Sequence, residues 1–103
     1  MSDPAQHRRL GLLRGGVLLG RMTRVGGEQP LLHYSFQPTP AFQEVAPLFD
    51  AELKTFETDD MAGWQQQYDK IRGPGLALEL PDGGVYAGDF VIHVEGEKAR
   101  LRL

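Results

Sequence analysis

A two-layer α+β domain follows from three features of the sequence: a mostly antiparallel sheet of about five strands with two or three short helices on one face. Apolar residues alternate at intervals of two near both ends of the chain, they recur at intervals of three and four in the middle, and Gly and Pro clusters separate the stretches. The order is therefore ββ–helices–βββ, which packs as an antiparallel sheet covered by helices.

Residues 1–15 are arginine-rich and lack sustained periodicity. They read as a flexible basic arm, with at most a helical turn near 6–13, ahead of a single domain at 16–103. A first strand is expected at 16–25 and a turn at Gly26-Gly27-Glu28. In 30–37, Leu32, Tyr34 and Phe36 alternate with Leu31, His33 and Ser35 as a second strand, with the aromatic side toward the core. Thr39 suits a helix cap and Pro40 its first position. Phe42, Val45, Phe49, Leu53 and Phe56 then form one helical stripe. Pro47 lies inside it and predicts a break near Ala46-Pro47, since proline removes a backbone donor and crowds the preceding turn. A fresh helix capped by Asp59 or Asp60 runs to Arg72 on a stripe of Met61, Trp64, Tyr68 and Ile71, and Gly73-Pro74-Gly75 stops it. Strands at 76–80, 90–95 and 99–103 close the chain, separated by Pro81-Asp82-Gly83-Gly84 and Glu95-Gly96-Glu97-Lys98, with 85–88 as a short strand or loop.

With 103 residues, 41% hydrophobic and 24% charged, the chain supports one core. It has no cysteine, which excludes disulfides, thiol catalysis, iron–sulfur clusters and cysteine zinc sites. The net charge is −3 and unevenly spread: residues 1–30 hold five arginines against Asp3 and Glu28, whereas 38–73 hold seven acids against three bases. No apolar run approaches the ~20 residues of a membrane helix, and Arg14-Gly15-Gly16 interrupts any signal-peptide core. A soluble cytoplasmic protein is the expectation, with no membrane partner.

Catalytic and metal patterns are missing. His7, His33 and His93 form no HxH, HxxxH or HExxH pair, so no metal or cofactor is expected. His33 and His93 fall on the strand side opposite Tyr34/Phe36 and Phe90/Ile92, which makes them solvent-side residues that could meet across the sheet and bind a ligand. Ser35, His33 and Asp89 could form a triad only on an open sheet with no evident oxyanion hole. Trp64 and Tyr68 belong to the core stripe, yet with Phe42 they could line a small apolar groove where a broken helix lifts from the sheet. Asp50, Glu52, Glu57, Asp59 and Asp60 make an acidic helix surface suited to a basic partner. Arg8, Arg9, Arg14, Arg21 and Arg24 give a modest phosphate footprint, without a basic strand interleaved with aromatics.

Pro38-Thr39-Pro40-Ala41-Phe42, Pro47-Leu48-Phe49-Asp50, Asp59-Asp60 with Trp64, Ile71-Arg72, Asp82-Gly83-Gly84 and Asp89-Phe90 with His93 and Gly96 together form a pattern. The pattern, across 17–103, resembles a loose group of small bacterial α+β proteins. That group has no assigned activity, so the resemblance implies a single bacterial domain and lends no catalytic residue.

Three functional expectations follow. The first is a non-enzymatic interaction domain, engaging a protein partner or a second copy through its acidic helix face or through the edge of the terminal strand. The second is a small-ligand protein or minor enzyme using His33 and His93. The third is weak nucleic-acid binding by the arginine arm.

Overall fold

Strict alternation of Leu32, Tyr34 and Phe36 with polar neighbours makes one strand the spine of the core. All three side chains are buried, and their strand, β3 (Leu31–Pro38), sits near the middle of a seven-stranded sheet. The computed structural model describes residues 4–103. After a 3-10 turn at Pro4–Gln6 come β1 (Arg9–Arg14), β2 (Val17–Glu28), β3, the helices α1 (Phe42–Glu57) and α2 (Met61–Arg72), then β4 (Leu76–Glu79), β5 (Val85–Tyr86), β6 (Val91–Glu95) and β7 (Lys98–Arg102). The sheet order is β5-β4-β1-β2-β3-β7-β6, with every pairing antiparallel.

The α+β class and the antiparallel sheet match expectation, but the sheet has seven strands rather than about five. The largest departure is the supposed arm. Residues 1–3 of it lie outside the described residues, while Arg9–Arg14 is a strand paired with β2 on one side and β4 on the other. Gly15 and Gly16, at φ of 59° and 80°, form the two-residue loop that joins β1 to β2. Two consecutive positive φ values are what a tight hairpin requires and what glycine supplies without strain. Leu10 and Leu12 thereby enter the core.

β2 runs on through Gly26 and Gly27 to Glu28, so the turn falls at Gln29–Pro30; the glycines pair with His33 and Leu32, and the register shifts just before them, at Val25. Thr39 ties the β3–α1 junction to β2: its Oγ1 donates to the Leu18 carbonyl at 2.6 Å and its N–H to the Leu19 carbonyl at 2.9 Å. It does not cap α1, which starts at Phe42. Nor does Pro47 break α1, which continues through it to Glu57. A prolyl residue one turn into a helix forfeits one hydrogen bond. Here the apolar stripe on both sides of it is anchored, with Phe42 packing edge-on to Phe36 at 5.1 Å and Phe49 fully buried. Asp60 caps α2 as expected, accepting from the Gly63 N–H at 3.0 Å. Arg14 closes the other end of α2, donating to the Ile71 and Lys70 carbonyls at 2.9 and 3.0 Å.

The terminal strand offers no edge. β7 lies between β3 and β6, so the edge-recruitment motive for an interaction domain does not hold. The edges are β5, two residues long, and β6. On β6, Tyr68 from α2 accepts the Ile92 N–H and donates to the Phe90 carbonyl, both at 3.1 Å. One phenol thus satisfies two edge groups. No described helix is long and apolar enough to cross a membrane.

Candidate functional site

Successive residues of a strand face opposite sides of its sheet, and cross-strand register places partners on the same side. Ile92 and Val94 of β6 face the core with Leu101 and Ala99. His93 lies between them on the other side, in one cross-sheet row with Arg100 of β7 and His33 of β3. The expected shared side for the two histidines is therefore observed. Their expected exposure is not: His33 is exposed, but His93 is only 7% exposed.

The helical hairpin reaches past the core face to cover His93. On α1, Phe49, Glu52, Leu53 and Phe56 recur at helical spacing, so Glu52 shares the apolar stripe and is fully buried. It is thus no part of an exposed acidic partner surface. Its carboxylate holds His93 Nδ1 at 2.8 and 3.0 Å from its two oxygens. Oε2 also accepts from Trp64 Nε1 at 2.6 Å. Phe56 stacks on His93 with ring centroids 4.3 Å apart, and Trp64 stacks on Tyr68 at 5.2 Å. Indole N–H only donates and a carboxylate only accepts, so we assign the Nδ1 hydrogen to His93 and leave Nε2 as its second, working nitrogen. Taking a carboxylate out of water costs several kcal/mol, which these charge-assisted bonds offset. Burial, the largest influence on Tyr68, pushes its phenol up to about 12; the bond from Ile92 opposes this, the charge of Glu52 adds to it, and Arg72 opposes it.

Trp64, expected with Tyr68 to line a small apolar groove, is half-buried, and Tyr68 is buried. Trp64 donates to Glu52 and stacks on Tyr68, and α1 continues through Pro47 without lifting away. Asp50 and Glu57 on α1, and Asp59 and Asp60 in the turn before α2, are exposed. The Ser35–His33–Asp89 triad is not formed: Ser35 Oγ donates to the Thr23 carbonyl at 3.4 Å, and Asp89 borders other depressions. No three His, Asp or Glu side chains converge on a metal position among the described residues.

His33 and His93 do border one depression of about 480 Å³, together with Ser35, Lys98 and Arg100. Two neighbouring depressions share Arg21, Thr23 and Gln37, and one of them also reaches Ser35 and Glu97. All three open on the side of the sheet away from the helices. Register sets Arg9, Arg21, Lys98, Arg100 and Arg102 on that side, against the acids Glu79 and Glu95. The one ion pair among the described residues is Glu52–His93, so none of these five bases has a carboxylate partner there. Arg14 and Arg24, counted in the expected phosphate footprint, are instead held by main-chain carbonyls. The cationic role of Lys98, Arg100 and Arg102 escaped the sequence reading because only the register reveals that they join Arg9 and Arg21.

Compared with protein-family models, curated proteins and solved structures, the chain matches none.

Proposed function

We propose that the protein is a non-catalytic interaction domain whose helix-free sheet face takes an acidic segment of a partner protein. The observation that supports this is the segregation of charge. A chain of net charge −3 carries five bases without ion-pair partners on one side of its sheet, where register sets only Glu79 and Glu95 against them, while Asp50 and Glu57 of α1 and Asp59 and Asp60 of the turn before α2 are exposed in the helical layer. Complementary potential of this kind guides encounter and sets register. Among the described residues the strands of this face present arginine, lysine, threonine, serine, glutamine and histidine side chains but no exposed Phe, Tyr or Trp for stacking bases, which disfavours single-stranded nucleic acid. A symmetric homodimer through this face would set like charges together.

The test is titration of the full chain with poly-L-glutamate, single-stranded DNA and duplex DNA, with sedimentation of the chain alone. Poly-L-glutamate is expected to bind in a salt-dependent manner. Arg21→Glu and Arg102→Glu are expected to abolish that binding, whereas Lys54→Glu on α1 leaves it intact. Preference for either DNA, self-association abolished by the same reversals, or indifference to them would each overturn the reading.

A further inference from the structure

We infer that the depression along the His33–Arg100–His93 row is a binding site for a small phosphate-bearing ligand. The inference concerns a discrete pocket and stands apart from the broader acidic-partner reading. Its volume, about 480 Å³, lies within the range of small-molecule sites.

Three observations carry it. First, His93 is oriented on two sides before any ligand arrives: Glu52 fixes Nδ1 and Phe56 covers the ring. Its Nε2 makes no hydrogen bond among the described residues. A carboxylate that holds one imidazole nitrogen sets the direction and the proton of the other. Second, Arg100 is half-buried in the adjacent strand, in register between the two histidines, with no carboxylate partner. Its planar fork matches two oxygens of a phosphate. Third, Ser35 and Lys98 face each other in the next cross-sheet row. They add a hydroxyl and an ammonium beside the guanidinium.

Glu95 and Glu97 also border the depression. Both are exposed, so water screens their opposition to an anion. The buried carboxylate, Glu52, is engaged by His93 and Trp64. His93 Nε2 serves a phosphate in either proton arrangement. An imidazolium, its charge balanced by Glu52, donates to a phosphate oxygen; a neutral ring accepts from a P–OH group.

The test is a titration of isotopically labelled full chain with inorganic phosphate, phenyl phosphate and chloride at matched ionic strength, read on the ring signals of His93 and the guanidinium signals of Arg100. Saturable shifts are expected with both phosphate compounds and not with chloride. Arg100→Gln is expected to weaken saturation by about tenfold or more, the effect of losing a charge-assisted pair. Arg72→Gln on α2 is expected to leave it unchanged. If phenyl phosphate saturates first, the ligand is a phosphate ester; if inorganic phosphate saturates first or equally, the free anion is recognised. The double variant Glu52→Leu with His93→Leu keeps the region packed while removing the imidazole, and is expected to lose the response. Shifts that never saturate, that chloride reproduces, or whose midpoint is unchanged in Arg100→Gln overturn the site. Poly-L-glutamate binding in the same preparation separates the two readings: its presence without a phosphate response sinks this inference alone, and the reverse sinks the acidic-partner reading alone.

Discussion

The two edges of the sheet are closed by opposite means. At one end, β5 is a two-residue strand bordered by Pro81, Gly83, Gly84 and Gly88, and its Val85 is 57% exposed. It is too short to template another strand. At the other end, β6 is five residues long and three of its side chains in a row are buried. Two main-chain groups at its start, the Ile92 N–H and the Phe90 carbonyl, are met by the Tyr68 phenol, and His93, on its other side, is met by Glu52 and Phe56. Shortening an edge requires only turn residues. Covering one brings helix side chains against main-chain polar groups, and in this protein the ion pair and the shifted phenol both lie there.

Breaking that cover at its centre is expected to have the largest effect. Glu52→Ala leaves His93 and the Trp64 N–H unpaired in a buried place and should destabilise by about 3–5 kcal/mol in chemical denaturation. The Glu52→Leu, His93→Leu pair should recover the part of that loss owed to the orphaned imidazole, leaving only the Trp64 N–H without its acceptor.

Tyr68→Phe comes next. It removes the partner of the Ile92 N–H and the Phe90 carbonyl together, and should cost about 2–3 kcal/mol.

The same phenol gives a titration that sharpens the contrast. Its folded value of about 12 lies above the ordinary value near 10, so the folded state keeps a proton that the unfolded state releases. The contribution is therefore complete below pH ~10 and is lost as pH rises toward ~12, by about 2–3 kcal/mol in all. Denaturation midpoints measured across that interval should fall, and Tyr68→Phe should flatten this part of the profile.

At the short edge the effect should be small. Val85, on the two-residue β5, is 57% exposed, and Val85→Ala should cost at most about 0.5 kcal/mol by the same measurement. A loss there as large as that of Tyr68→Phe would erase the distinction between the edges.

The central strands and α2 were legible because each follows a single local rule. Tyr34 and Phe36 alternate, Asp60 precedes an apolar stripe, and Asp82-Gly83-Gly84 is turn chemistry. β1 was hidden for a local reason too. Arg9, Gly11 and Leu13 blur its alternation, and Gly15-Gly16 read as an interruption when it was the hairpin loop. The site was only half legible. Period-two alternation does place His33 and His93 on one side, yet burial of His93 depends on a helix forty residues earlier bending its stripe around an edge. The clue was Glu52 at helical spacing between Phe49 and Phe56, a charged residue on an apolar stripe. Arg100 carries no such mark, since only strand pairing sets it between the histidines.

The arrangement of strands also bears on how the chain assembles during synthesis. β1, β2 and β3 are neighbours in both chain and sheet, joined by connections of two residues, so their closure requires little loop entropy. The ribbons β4–β5 and β6–β7 attach on opposite flanks of this meander, to β1 and to β3 respectively. Both ribbons follow the helices in the chain, so the meander and the apolar stripes of α1 and α2 that shelter it precede the strands that fill its flanks. β6 and β7 together complete the β3 flank, the Glu52–His93 pair and the His33–Arg100–His93 row, so all three features depend on one late ribbon docking onto β3 and α1.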